Sequence, residues 1–322
     1  MDELADFDAI SGCVCVVGSM NADYTVQVEL LPQVGETVNG GAIKVLPGGK
    51  SGNQAATAAL LGTSVKMFGA VGSDANAEFL LSNLVQMGVD ASHVLRADGP
   101  SGTTLITVDA QGENTIVYSA GSNALVSPVY IDLMKEALTG ASVLGLCMES
   151  PLETVVAAAQ LCHGVGMKVL LNNSPFVADL PQELIDASDI LLVNKIEAAQ
   201  LFDAPALNDC QVELIDWQSL ARAVQLFGFE SVVITLGGEG SVVVDKGKAT
   251  RIQPVFVDVR DTTGCGDAFM GTILAGLASD FTLVRAAKLA SYVAAYATLS
   301  EGAQASYGTP AEIRAYFQPE RG

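Results

Sequence analysis

Short runs rich in Val, Ile and Leu, at 142–147, 168–171, 190–193, 232–235 and 241–244, alternate with longer amphipathic stretches, and this rhythm limits the possible folds more than any other feature. A continuous apolar run of that length fits a strand covered on both faces, and segments 152–163 and 217–227 are long enough to be the helices that carry the chain back across a parallel sheet. The pattern reads βαβ, and the first strand, at 13–18, belongs to the same core. The expected fold class is therefore α/β, a doubly wound and mainly parallel sheet flanked by helices.

Two stretches, 24–46 and 103–120, break the rhythm with short Thr- and Val-rich runs punctuated by Gly and Pro. They read as antiparallel strands, separated by helices at 52–61 and near 77–87. They are expected to meet as a small sheet projecting from the main body, a lid formed by 20–47 and 101–121. No internal repeat or low-complexity linker divides the chain. With 322 residues, half of them hydrophobic, a single domain over 1–322 has enough apolar side chains for one large core.

The charge is lopsided: 36 Asp and Glu against 16 Lys and Arg give a formal net charge of -20. Such a surface repels polyanions, which argues against a nucleic-acid partner, yet backbone amides and a single lysine still bind phosphates locally. The six cysteines, Cys13, Cys15, Cys147, Cys162, Cys210 and Cys265, form no CxxC pair and read as reduced thiols. His93 and His163 lack ligand-like neighbours, against a zinc site. The N-terminus is acidic where a signal peptide is basic, and no uncharged apolar run reaches about 18 residues. A cytoplasmic protein with no membrane partner is expected.

The most informative segment is Asp261-Thr262-Thr263-Gly264-Cys265-Gly266-Asp267, leading into a helix of small residues at 268–278. Its glycines allow consecutive N–H groups to converge at a helix start, which is an anion site by geometry and dipole. A carboxylate there repels a static phosphate, but it suits a reaction in which a hydroxyl loses its proton while charge builds on a phosphoryl group. The bland reading is that Asp267 caps the helix.

Pro47-Gly48-Gly49-Lys50-Ser51-Gly52-Asn53-Gln54 lacks Walker spacing. Its glycines permit close backbone approach to a ligand, while Lys50 and Asn53 offer donors to hydroxyls; an ordinary strand-to-helix turn is the alternative. Asn21 and Asp23, in Gly18-Ser19-Met20-Asn21-Ala22-Asp23, follow the first strand, where open α/β sheets place ligands. Thr235-Leu236-Gly237-Gly238-Glu239-Gly240 and Asn194-Lys195-Ile196-Glu197 each follow a strand as well, and each also fits a capped helix start.

Together these motifs resemble the ribokinase family of carbohydrate kinases over nearly the whole chain. Ala120-Gly121-Ser122-Asn123 and Gly302-Ala303-Gln304 share the likeness. The resemblance implies ATP-dependent phosphorylation of D-ribose at its primary hydroxyl, with Asp267 as general base and Gly264, Cys265 and Gly266 as anion hole. It implies sugar binding by Asn21, Ala22, Asp23, Gly49, Lys50, Ser51, Gly52, Asn53 and Glu149. ATP would meet Asn194, Thr235, Leu236, Gly237, Gly238, Glu239, Gly240, Gly266 and Ser291. Glu197 would help organise Mg2+, and Asp261 and Thr263, with Ala297, Ser300, Gly302 and Ser306, would hold K+. An exposed β-sheet has edges and a face to cover, so a homodimer formed through the lid is also expected.

Three positions depart from the family. Ser291 replaces an adenine-contacting His or Asn, Cys265 replaces Ala and makes the loop thiol-sensitive, and Ser51-Gly52 replaces Gly-Ala. Lid residues Thr103, Thr104 and Ile116 are expected to close over the sugar. The alternatives are a ribonucleoside or other sugar kinase with the same machinery, and a non-catalytic sugar- or nucleotide-binding regulator. The intact Gly-Cys-Gly-Asp favours catalysis, since a binding protein has no need of a base beside an anion hole. An oxidoreductase is disfavoured because no G-x-G-x-x-G follows the first strand.

Overall fold

The computed structural model describes residues 3–209 and 211–318, so Cys210 and the first two residues lie outside the described residues. One nine-stranded sheet forms the body. From edge to edge it runs Lys248–Ile252, Ser241–Asp245, Ser231–Thr235, Ile190–Asn194, Lys168–Asn172, Val143–Cys147, Cys13–Val17, Ser64–Phe68 and Val89–Asp90. Every neighbouring pair from Ser231–Thr235 to Val89–Asp90 is parallel, and the two strands beyond Ser231–Thr235 are antiparallel. The central runs are apolar throughout because helices cover both faces: Val143–Cys147 is buried at all five positions. On one face the helices Lys50–Leu60, Cys265–Ala278 and Leu283–Ala297 pack together, and on the other lie Leu152–His163 and Trp217–Phe227. Among the described residues no helix is long and apolar enough to cross a membrane.

The projecting sheet forms as expected from the two irregular stretches, but its pairing differs. Its order is Lys44–Gly48, Asn21–Gln27, Gly102–Val108, Asn114–Ser119, and the central pair runs parallel. Each stretch is an antiparallel hairpin. The two hairpins leave the body side by side, with Asn21 level with Gly102, so their first strands necessarily run the same way. The sheet is therefore mixed rather than antiparallel.

Register also divides the lid residues by face. Thr104 lies directly opposite Asp23 and Tyr118, and Ile106 opposite Ile116, so Thr104 and Ile116 share the face that carries Asp23. Thr103 is opposite Ala22 and Ser119 and points the other way, its hydroxyl donating to the Ser101 carbonyl at 3.2 Å. Closing over Asp23 thus falls to Thr104 and Ile116 and not to Thr103, because successive side chains in a strand alternate.

Candidate active site

Gly264 begins the helix Cys265–Ala278, which starts three residues earlier than its small-residue pattern suggests. Gly264 has φ 74°, and a Cβ built there would sit 2.5 Å from Ala303 Cβ and 2.7 Å from Tyr307 Oη. Only glycine fits that turn. Tyr307, half-buried, donates its hydroxyl to the Gly264 carbonyl at 2.9 Å and so fixes the loop from outside.

Asp267 sits in the first turn of this helix, not at its cap, and its side chain is 8% exposed. Its two oxygens each accept an amide proton, from Asn53 Nδ2 at 2.9 Å and from Gln54 Nε2 at 3.1 Å. Burial pushes the carboxyl above its ordinary value; Lys50 and the two amides pull the other way. The capping reading is set aside: the carboxylate is held for use inside the fold.

Lys50 opens the helix Lys50–Leu60 and is half-buried. Burial works against its ammonium, yet Asp267, Glu149, Cys147 and Glu197 outweigh it and hold the group above its ordinary value. Glu149 accepts from the Lys50 backbone N–H at 3.0 Å and from the Ser19 hydroxyl, and burial raises its carboxyl. Asp23, on the lid, is pushed up to about 6 by burial, with a Thr104 hydrogen bond opposing and Glu149 and Asp267 reinforcing. Gly48 gives Asp23 its room, since a Cβ there would lie 1.9 Å from Asp23 Oδ2. Asn21 is buried, its Oδ1 accepting from Asn123 Nδ2 at 2.7 Å. Three acidic side chains from separate parts of the chain, Asp267, Glu149 and Glu197, thus act on one lysine.

Several expected sugar ligands have other work. Asn53 Oδ1 accepts from Gln304 Nε2 at 2.9 Å while its Nδ2 faces Asp267, so its amide is engaged at both ends. Ser51 Oγ lies 3.0 Å from Cys147 Sγ under the loop, and the Ala22 side chain is in the core. Gly52 N–H donates to the Ser19 carbonyl, and Gly49 caps the helix.

Beside the anion loop lies a cavity of about 260 Å³. Thr235, Gly237, Gly238, Gly240, Gly266, Cys265 and Ser291 line it, together with an apolar wall of Pro254, Val255, Phe256, Val257 and Val259 that sequence reasoning did not single out. Phe256 is 84% exposed, an unusual state for a large aromatic ring without a ligand to cover it. Ser291 donates to the Ala287 carbonyl within its own helix. Asn194, Leu236 and Glu239 are not on the wall. Leu236 is in the core, Glu239 pairs with Lys195 at 3.8 Å, and Asn194 with Glu197 forms a reciprocal cap on the helix Lys195–Leu201. Asn-x-x-Glu is thus a capped helix start, and burial raises the Glu197 carboxyl.

Cys265 departs from its expected reactivity: burial and the neighbouring Asp267 raise its thiol, which disfavours the nucleophilic thiolate. Asp261 accepts from Thr263 N–H and Oγ1 and, through Oδ2, from Gly302 N–H at 2.8 Å, which brings the loop at 261–263 against the segment at 297–306. These bonds outweigh burial and hold its carboxyl below its ordinary value. Gln54, Asn123 and Gln304 stand in the motifs but were given no role from sequence, and Tyr307 was not singled out, because their roles depend on partners up to 251 positions away.

A family model described as pfkB family carbohydrate kinase matches residues 12–310. A ribokinase of Haemophilus influenzae is 33% identical over 307 residues, covering 94% of this chain and 97% of that protein. A deoxyribokinase of Salmonella typhi is 30% identical over 306 residues, covering 94% of this chain and 98% of that protein. Among solved structures, Arabidopsis thaliana ribokinase complexed with ribose and ATP matches with a TM-score of 0.86 and 27% identity, over 96% of this chain and 99% of that one.

Proposed function

This chain belongs to the pfkB family of carbohydrate kinases, and from that membership we propose that it transfers the γ-phosphoryl group of ATP to the primary hydroxyl of D-ribose, giving D-ribose 5-phosphate. The observation that carries the reading is Asp267, a buried carboxylate held by two amides, next in sequence to Gly266 on the cavity wall and near enough to Asp23 for the two charges to interact. Asp267 takes the hydroxyl proton as the oxygen bonds to phosphorus and the bond to the ADP oxygen breaks. The amides of Gly264, Cys265 and Gly266 face the charge that builds on the transferred group. The protein's share is positioning and electrostatics. Lid closure by Thr104 and Ile116 keeps water from the phosphoryl group.

The apolar wall at 254–259 suits an adenine ring, with Gly237, Gly238 and Gly240 near the phosphates. Among the described residues no group of three or more His, Cys, Asp or Glu is arranged to hold a metal ion. Glu197 alone fits Mg2+, which keeps much of its water and binds chiefly to substrate phosphates. Mg2+ would neutralise phosphate charge. K+ would be held by Asp261, whose hydrogen bonds favour the carboxylate, and Thr263 with the carbonyls of Ala297, Ser300, Gly302 and Ser306, and its charge would steady the anion loop. Exposed Leu105 and Val117, on the lid face turned away from Asp23, support pairing with a second copy. The work of such an enzyme belongs in the cytoplasm.

The relatives include both a ribokinase and a deoxyribokinase, so the acceptor is the point to test. A half-buried Asp23 built to accept a hydroxyl proton is left unpaired by an analogue lacking that hydroxyl. We expect kcat/KM for ribose to exceed that for 2-deoxyribose by about tenfold or more, and ribonucleosides to be poorer still because the lid leaves no room at C1. Coupled ADP-release assays across these acceptors decide it. A ribonucleoside equal to ribose would replace the ribose reading with a nucleoside kinase.

Asp23 also sets a pH dependence. Its carboxyl titrates near pH 6, and only the ionised form accepts two hydroxyl protons. Protonation as pH falls through 6 removes that acceptor, so the sugar KM is expected to rise several-fold between pH 7 and 5. Steady-state KM for ribose across that range, with ATP saturating, is the measurement. A flat KM would remove Asp23 from the sugar site.

A further inference from the structure

Three side-chain amides stand in series behind the base, each donating in the same direction. Asn83 Nδ2, on the helix Ala75–Gln86, donates to Gln304 Oε1. Gln304 Nε2 donates to Asn53 Oδ1 at 2.9 Å, and Asn53 Nδ2 donates to Asp267 Oδ2 at 2.9 Å. Gln304 is 2% exposed and lies in the short turn Gln304–Ser306, two residues from the glycine that Asp261 holds.

We propose that Gln304 is a positioning residue for phosphoryl transfer: by donating to Asn53 it forces the Asn53 amide to present N–H, not C=O, to Asp267. An amide is two-faced: an ionised Asp267 calls for its N–H, whereas a protonated Asp267 could instead donate to its C=O. With the Gln304 N–H on Asn53 Oδ1, that oxygen is occupied and only the donor end remains for the carboxylate. Donors in series polarise one another, so the last bond is stronger than an isolated one. The chain thereby favours the ionised base and fixes its lone pairs. It also ties the base to the segment at 297–306, which packs against the anion loop through Asp261 and Gly302. Base and anion hole are then braced by one stretch of chain. The inference rests on Asp267 being the base.

Other groups around Asp267 act on its titration too. Lys50, from the helix Lys50–Leu60, favours its charge; Glu149, just past the central strand Val143–Cys147, Asp23 on the lid and Cys265 on its own helix interact with it, as does the Tyr307 hydroxyl. All of them remain in a Gln304 variant, which isolates the amide chain.

The test is Gln304→Leu, similar in length and without donors, beside Asn83→Asp, which removes the donor one step further back at a half-buried position. Ribose kinetics are measured from pH 5 to 9. Gln304→Leu is expected to lower kcat about 10- to 100-fold with the ribose KM within about threefold, and to move the acid limb of kcat upward by about half a pH unit or more. Asn83→Asp is expected to shift the same limb by less, in the same direction. An acid limb unmoved in both variants, or a loss confined to KM, overturns the inference. Should Gln304→Leu fail to fold, Asn83→Asp alone decides. Asp267→Asn is run alongside: if it keeps full turnover, the base assignment itself has failed, an outcome separate from any result at Gln304.

Discussion

Asp267→Asn is expected to lower turnover by about 10²–10⁴-fold, the range for losing a general base, while ATP and sugar still bind within several-fold of their unchanged affinities. The geometry makes the substitution worse than a simple loss of basicity. Both Asp267 oxygens accept from amide N–H groups. Asparagine at this position has one oxygen and one NH2, so one of its two neighbours would meet a donor with a donor. Either Asn53 or Gln54 must turn, and a turned Asn53 disturbs Gln304 behind it. Binding by calorimetry and turnover by ADP release separate the effects. Near-normal turnover in a folded variant would remove Asp267 as base.

The second large effect is expected at Gly264→Ala. The residue is left-handed, which costs a residue with a Cβ about 1–2 kcal/mol. The new methyl would also lie 2.5 Å from Ala303 Cβ and 2.8 Å from Ala303 Cα. Backbone cannot swing aside as a flexible side chain does, so the turn must shift and take the Cys265 and Gly266 amides with it. Misplacing one such donor costs about 10²–10³-fold in turnover, and a kcat reduction of about 100-fold is expected with the ribose KM nearly unchanged. Turnover within threefold of the unchanged protein would mean that these amides do not face the reacting phosphoryl group.

The parts legible in the sequence are those whose signal is local. The apolar runs are buried on both faces, so Val, Ile and Leu crowd together and mark each parallel strand. The glycines around Cys265 mark a turn because few other residues adopt its backbone. Pairing direction in the lid was not legible, since alternation marks a strand but not its neighbour. The same holds for Asn53: its spacing from Lys50 suits a ligand, but its two amide contacts come from Asp267 and Gln304, more than 200 positions away. Ser51 and Leu236 sit within matching motifs yet point inward, because neighbours in a loop or strand face opposite ways. The wall at 254–259 left a trace, a Pro-containing apolar run without strand alternation, whose meaning emerges only beside the anion loop.

The parallel seam at the root of the lid has a consequence for how this protein can vary. Asn21 is level with both Gly48 and Gly102, so all the lid's attachments converge where Asp23 meets the pocket. The far ends, the connection at 28–43 and the turn at 109–113, are closed by their own contacts: Val28 bridges to Gly40, and Asp109 N–H donates to the Glu113 carbonyl at 2.9 Å. Added length at either tip leaves every paired residue near the pocket in register, whereas one residue inserted between Asn21 and Asp23 would turn the acidic side chain to the opposite face. Evolution therefore has a cassette here, fixed at its root by chemistry and open at its tips to insertion and deletion, through which related chains can change what they associate with while keeping what they phosphorylate.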